Sequence, residues 1–124
     1  MDIPAVIQAY VDAYNRMDVE GMLSCLHPDV HFQNLSQGAV TAETFDRATF
    51  AELARFAVTA FSTRHQSVLH CTSVGDRIML EIDYRATLAT DLPNGWKAGQ
   101  ELRFTGASYF ECEQGKIVRL VDQS

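Results

Sequence analysis

Long apolar runs are what this chain most plainly lacks. No stretch approaches the ~18–20 consecutive apolar residues that a membrane-spanning helix requires, and the first thirty residues hold no basic start followed by an apolar block. A helical membrane protein and a secretory leader are therefore not expected, and a cytoplasmic location is. Basic residues are scarce too: 10 Lys and Arg stand against 16 Asp and Glu, a net charge of −6. A nucleic-acid binder needs a basic face to neutralise phosphates, so nucleic acid is not the expected partner. Cysteine is sparse and odd in number. Cys25, Cys71 and Cys112 are widely spaced and form no C-x-x-C pair, which predicts reduced, mostly buried thiols. His27, His31, His65 and His70 stand at spacings that put no two ligands on one face of a helix or strand, so no metal site is expected. There is no G-x-S-x-G elbow and no phosphate-cradling glycine loop. Neither a repeat nor a linker interrupts the sequence, which reads as one domain over residues 1–124.

What is present is strong periodicity. Val6, Ile7, Tyr10, Val11, Tyr14 and Met17 follow the three-and-four spacing of one helical face, with Pro4 suited to the first turn. Asp18 is placed to cap a second helix carrying Met22, Leu23 and Leu26, which His27-Pro28 should end. Asp29 to Leu35 reads as a strand. Ser36 to Asp46 shows no firm period and reads as a loop or lid. Thr49 and Glu52 have the spacing of a capping box, predicting a third helix to about Phe61, with Phe50, Leu53, Ala54, Ala57, Val58 and Phe61 inward and Phe56 on a flank. Strands are then expected over 64–74, 77–90, 100–112 and 116–122, divided by Gly75-Asp76, the Pro93 and Asn94-Gly95 segment, and Glu113-Gln114-Gly115. Helices that bury their stripes on one face of such a sheet make an α+β fold with a pocket between the layers.

The order of elements, together with YVDAYNRMDVEGMLSCLHPDVHF, GDRIMLEIDYRATLATDLPNG and YFECEQGKIVRLVD, resembles the nuclear transport factor 2-like superfamily over essentially the whole chain. The SnoaL-like polyketide cyclase and ketosteroid isomerase branch looks nearest. The resemblance implies a cone-shaped α+β barrel, three N-terminal helices packed on a strongly curved, mostly antiparallel sheet. It implies a cofactor-independent isomerase, cyclase, dehydratase or hydrolase, or a non-catalytic relative on the same scaffold. Aligned through YV-x-A-x-N-x-x-D, the isomerases' tyrosine donor falls on Tyr10. Their carboxylate base falls on Asn34, and an amide cannot take a proton. Their second acid falls on or next to Ala107.

Other residues are read from pattern. Tyr10 and Tyr14 share a helical face and are either phenolic donors to a ligand or core aromatics. Asn34 is either a ligand contact or a strand-end residue. Asp122 alternates in phase with Val118 and Leu120, so it is either a desolvated general acid or base or a frayed end. With Ala107 inward, Arg103 and Tyr109 would line the pocket beside Tyr14, Asn34, Phe56 and Trp96. The apolar row Leu102, Phe104 and Phe110 would then need covering by a second subunit, which predicts a homodimer through the sheet face. The expected ligand is a small, largely apolar, oxygen-bearing molecule. Asp122 or a histidine would serve as base, with Tyr10 as donor to a developing oxyanion. The alternative is a binding or assembly module with a vestigial pocket.

Overall fold

Pro4, extended at φ −52° and ψ 141°, opens α1 (Ala5–Asn15), whose Ile7, Tyr10, Val11 and Ala13 are buried. The predicted face is thus correct, and the helix begins just past the proline. Met17 takes a left-handed φ of 56° and turns the chain toward α2 (Val19–Ser24). Asp18 caps that helix by accepting from the Gly21 amide at 3.0 Å. The approach is so close that a Cβ on Gly21 would collide with the Asp18 side chain. The helix stops at Ser24, earlier than expected. Pro28 lies inside β1 (Leu26–Ser36), where the pairing register slips between Leu26 and His31.

The expected loop over 36–46 is instead half strand. Gln37 and Gly38 both adopt positive φ, 53° and 82°, and turn β1 back into β2 (Ala39–Thr44). Paired positive φ values suit the right-handed twist of a hairpin, and Gln-Gly is a weaker signal for it than Asn-Gly. The capping box is also corrected. Asp46 caps α3 (Arg47–Ala60), accepting from the Thr49 amide at 2.7 Å, so Thr49 lies one turn inside the helix.

The computed structural model describes residues 1–124, completed by β3 (Phe61–Val74), β4 (Arg77–Leu88), β5 (Glu101–Glu113) and β6 (Lys116–Gln123). The six strands form one curved sheet in the order β2-β1-β6-β5-β4-β3, antiparallel throughout except for β1 beside β6. The helices cover its inner face. On β4 the expected alternation holds: Ile78, Leu80, Ile82, Tyr84, Ala86 and Leu88 are buried, while Met79, Glu81 and Arg85 are exposed. These inward residues join Ile7, Tyr10, Val11, Leu26, Val30, Phe110, Ile117 and Leu120 in the core. Asn15 fastens α1 to β3 with a reciprocal pair, accepting from the Gln66 amide at 2.8 Å and donating to its carbonyl at 3.1 Å. The asparagine of the N-x-x-D run is therefore an architectural residue, tying helix to strand. No helix is long and apolar enough to cross a membrane.

Candidate active site

The site is a row of three side chains drawn from adjacent strands. Asn34 on β1 stands opposite Asp122 on β6, and Asp122 stands opposite Ser108 on β5. Residues directly opposite in a sheet point to the same face, here the inner one. The Ser108 hydroxyl donates to Oδ1 of Asp122 at 2.7 Å. Asn34 turns its amide Nδ2 to the Thr41 hydroxyl across the first hairpin, at 2.7 Å.

Two cavities meet at this row, sharing Tyr14, Asn34, Phe61 and Asp122 as lining. The outer one, about 410 Å³, is bounded by Tyr84, Trp96, Phe104 and Ser108. The inner one, about 230 Å³, runs under the helices among Tyr10, Phe32, Phe50, Leu53 and Ala54. The Asp122 surface left accessible borders these cavities. Burial pushes its carboxyl up to about 6, the Ser108 hydrogen bond opposing but not cancelling that shift. No cation pairs with it. A carboxylate of this kind is ionised near neutral pH yet basic enough to accept a proton.

Phenols surround it. Burial and the Asp122 charge push the Tyr10 hydroxyl well above its ordinary range. Tyr14 donates to the Tyr84 hydroxyl at 3.0 Å, and burial and the neighbouring phenol push Tyr14 well upward too. Tyr84, raised mainly by burial, has its own proton free for a ligand in the outer cavity. Its ring stacks on Phe104 at 4.9 Å between centroids.

Of the residues expected in the site, the structure brings Tyr10, Tyr14, Asn34, Trp96 and Asp122 to the cavities. Three do not belong there. Phe56 is 65% exposed on the outer side of α3. Arg103 is exposed and sits on the outer face, 3.6 Å from Asp83. Tyr109 shares that face and donates to Glu111 at 2.9 Å. The error is a shift of one residue in β5: Ser108, not Ala107, points inward, and a pleat of period two then reverses every neighbour. The row Leu102, Phe104, Gly106, Ser108 and Phe110 is the inner one: Ser108 and Phe110 are buried, and Phe104, 38% exposed, walls the outer cavity. The apolar row expected to meet a second subunit thus faces the pocket instead. Asp122 reaches the inner face by an altered phase. Pairing with β5 slips near Val118, so Ile117 rather than Val118 shares the buried side with Leu120. Tyr84, Ser108 and Arg64 were missed. Tyr84 was visible on the inward row of β4; nothing marked Ser108 as facing Asp122. No cluster of three or more His, Cys, Asp or Glu is arranged to hold a metal ion.

A helix-covered, curved sheet with a carboxyl at the floor of its pocket defines a protein of the nuclear transport factor 2-like cone fold. Within that class, the sequence model described as SnoaL-like domain matches residues 7–120, and the chain belongs to that family. It is similar to a solved candidate polyketide cyclase from Xanthomonas campestris pv. campestris, at 25% identity and a TM-score of 0.81 over 96% of this chain and 87% of that one. It is also similar in fold to AclR, a candidate hydroxylase from Streptomyces galilaeus: 23% identity, TM-score 0.75, 95% of this chain and 71% of that one. A Catenulispora acidiphila protein with a ketosteroid isomerase-like fold, in complex with trimethylamine, aligns over 98% of this chain and 85% of its own with TM-score 0.80 and 13% identity. No curated protein matches the chain by sequence.

Proposed function

We propose that this protein is a cofactor-independent acid–base catalyst acting on a small, largely apolar, oxygen-bearing molecule, with Asp122 as the proton-transferring group. The observation that carries the reading is the half-buried Asp122 carboxyl, held by Ser108 and without a cationic partner, at the junction of two cavities. It stands in register with Asn34, the position where the isomerases place their base. The carboxylate has in effect moved one strand across, and Ser108 orients it with one oxygen left for the ligand. Tyr84, backed by Tyr14, donates to the ligand oxygen as negative charge develops, and Tyr10 offers a second phenol from the inner side. Trp96 and Phe104 supply an apolar wall. Proton removal next to a carbonyl, the step shared by isomerisation, aldol-type cyclisation and dehydration, is the chemistry this arrangement suits.

The test is solvent exchange. Aryl and cyclic ketones in D2O, followed by proton NMR, should lose their α-proton signals faster with the protein than without it. The rate should rise with pH through about 6 and disappear in Asp122→Asn. A ketone that binds and stabilises the fold without exchange at any pH would leave a binding pocket and no catalyst.

We also propose association of two copies through the outer sheet face, where Leu69 and Met79 are exposed. Light scattering should report twice the chain mass, and a monomer at micromolar concentration would remove this reading.

A further inference from the structure

Arg64, on β3, is a buried cation that the acid–base chemistry does not use. It is only 5% exposed and lines the inner cavity together with Tyr10, Phe32, Phe50 and Asp122. Its Nε donates to the Tyr14 carbonyl near the end of α1 at 3.1 Å, and Nη2 lies 3.7 Å from the Met22 sulfur. The guanidinium carbon sits 3.7 Å from the centre of the Tyr14 ring. These partners supply a dipole, a soft sulfur and an aromatic face, and none supplies a negative charge. No carboxylate forms an ion pair with it. Glu101 borders a separate groove that Arg64 also lines, and the two form no ion pair. The phenols do not neutralise it either, because burial holds Tyr10 and Tyr14 protonated against the pull of Arg64. A guanidinium taken out of water without a counter-charge is costly to the fold. Such a group is conspicuous in a cavity otherwise walled by Phe32, Phe50, Leu53 and Ala54.

We propose that Arg64 anchors a carboxylate on the ligand, whose apolar body lies along that wall with its reactive carbon toward Asp122. The proposal rests on the reading of the cavities as a ligand site and narrows the ligand to a small aryl or alkyl monocarboxylate. A carboxylate fits better than a phosphate. It needs few donors, it matches the planar guanidinium, and it brings one charge rather than two toward Asp122. The inner cavity, about 230 Å³, restricts the ligand to a small one.

The experiment is calorimetric titration of the full chain with trans-cinnamate and with benzalacetone, which keeps the same skeleton and replaces the carboxylate by a methyl ketone. Cinnamate should bind at least about tenfold more tightly, the weight of one charge-assisted hydrogen bond. Arg64→Gln should erase that preference, so that the variant binds cinnamate and benzalacetone within about twofold of each other. Equal affinities in the wild type, or an equal loss for both ligands in Arg64→Gln, would overturn the anchor. Benzalacetone binding without a cinnamate preference removes the anchor and keeps the ligand site; failure of both compounds to bind removes both. If Arg64→Gln does not fold, the Arg64 Nε–H signal in nitrogen-15 NMR decides. It should move on adding cinnamate and stay in place with benzalacetone, and an unmoved signal at saturating cinnamate rejects the anchor.

Discussion

The two faces of the sheet treat a carboxylate in opposite ways. On the outer face, Asp83 lies between Arg85 at 3.7 Å and Arg103 at 3.6 Å, both largely exposed. On the inner face, Asp122 has a serine hydroxyl and no cation, and burial raises its carboxyl to about 6. The outer acid is compensated by two arginines whose side chains are largely exposed, an arrangement worth little to stability. The inner acid is left uncompensated. What makes it costly to the fold is what makes it a base near neutral pH.

The comparison breaks most sharply at Asp122 itself. Asp122→Asn should reduce ketone exchange by about 100-fold or more, the usual weight of a positioned base. Arg103→Ala, read in the same NMR assay, should leave exchange unchanged.

Asp122→Asn should also raise stability. The folded pKa of Asp122 lies above its ordinary 3.8, so the native state holds the proton more tightly than the unfolded chain does. Its stabilising contribution is full below about pH 4 and is lost as pH rises through about 6. Urea denaturation should therefore show about 1–2 kcal/mol lost between pH 5 and 8 from this group alone. Asp122→Asn should remove that slope and gain about 2–3 kcal/mol at pH 8. A variant less stable than the wild type at pH 8 would show that the carboxylate is not the burden described.

Gly106 sharpens the inner face by sterics. A Cβ there would strike the Gln123 backbone carbonyl beside the site, so Gly106→Ala should cost about 1–3 kcal/mol in thermal or urea unfolding. An unaffected midpoint would mean the end of β6 moves aside freely. Tyr84→Phe removes the acceptor of the Tyr14 hydroxyl and a donor to the ligand; exchange should fall by about tenfold with the fold retained by circular dichroism. The smallest effect belongs to the outer face, where Arg103→Ala should change stability by less than about 1 kcal/mol, measured by urea denaturation.

Much of the scaffold was legible in advance. The stripes of α1 and α3, the caps around Asp18, the alternation on β4 and the final hairpins rest on local chemistry, repeated at helical or strand period. β2 was not legible, because Gln37-Gly38 turns the chain without the usual Asn-Gly signal. Neither was the orientation of β5, since a single residue of offset exchanges Arg103 and Tyr109 for Phe104 and Ser108.

The amino-acid order alone determined most of the helices and strands, β2 excepted, and that Tyr10 and Tyr14 share a face. These follow from spacing between near neighbours. Only the tertiary structure decided that Asp122 lies beside Asn34 and accepts from Ser108, that Tyr14 meets Tyr84, and that Arg64 is buried without a counter-charge. Those relations join strands far apart in sequence. They depend on strand register and on one slip near Val118, which no local pattern records.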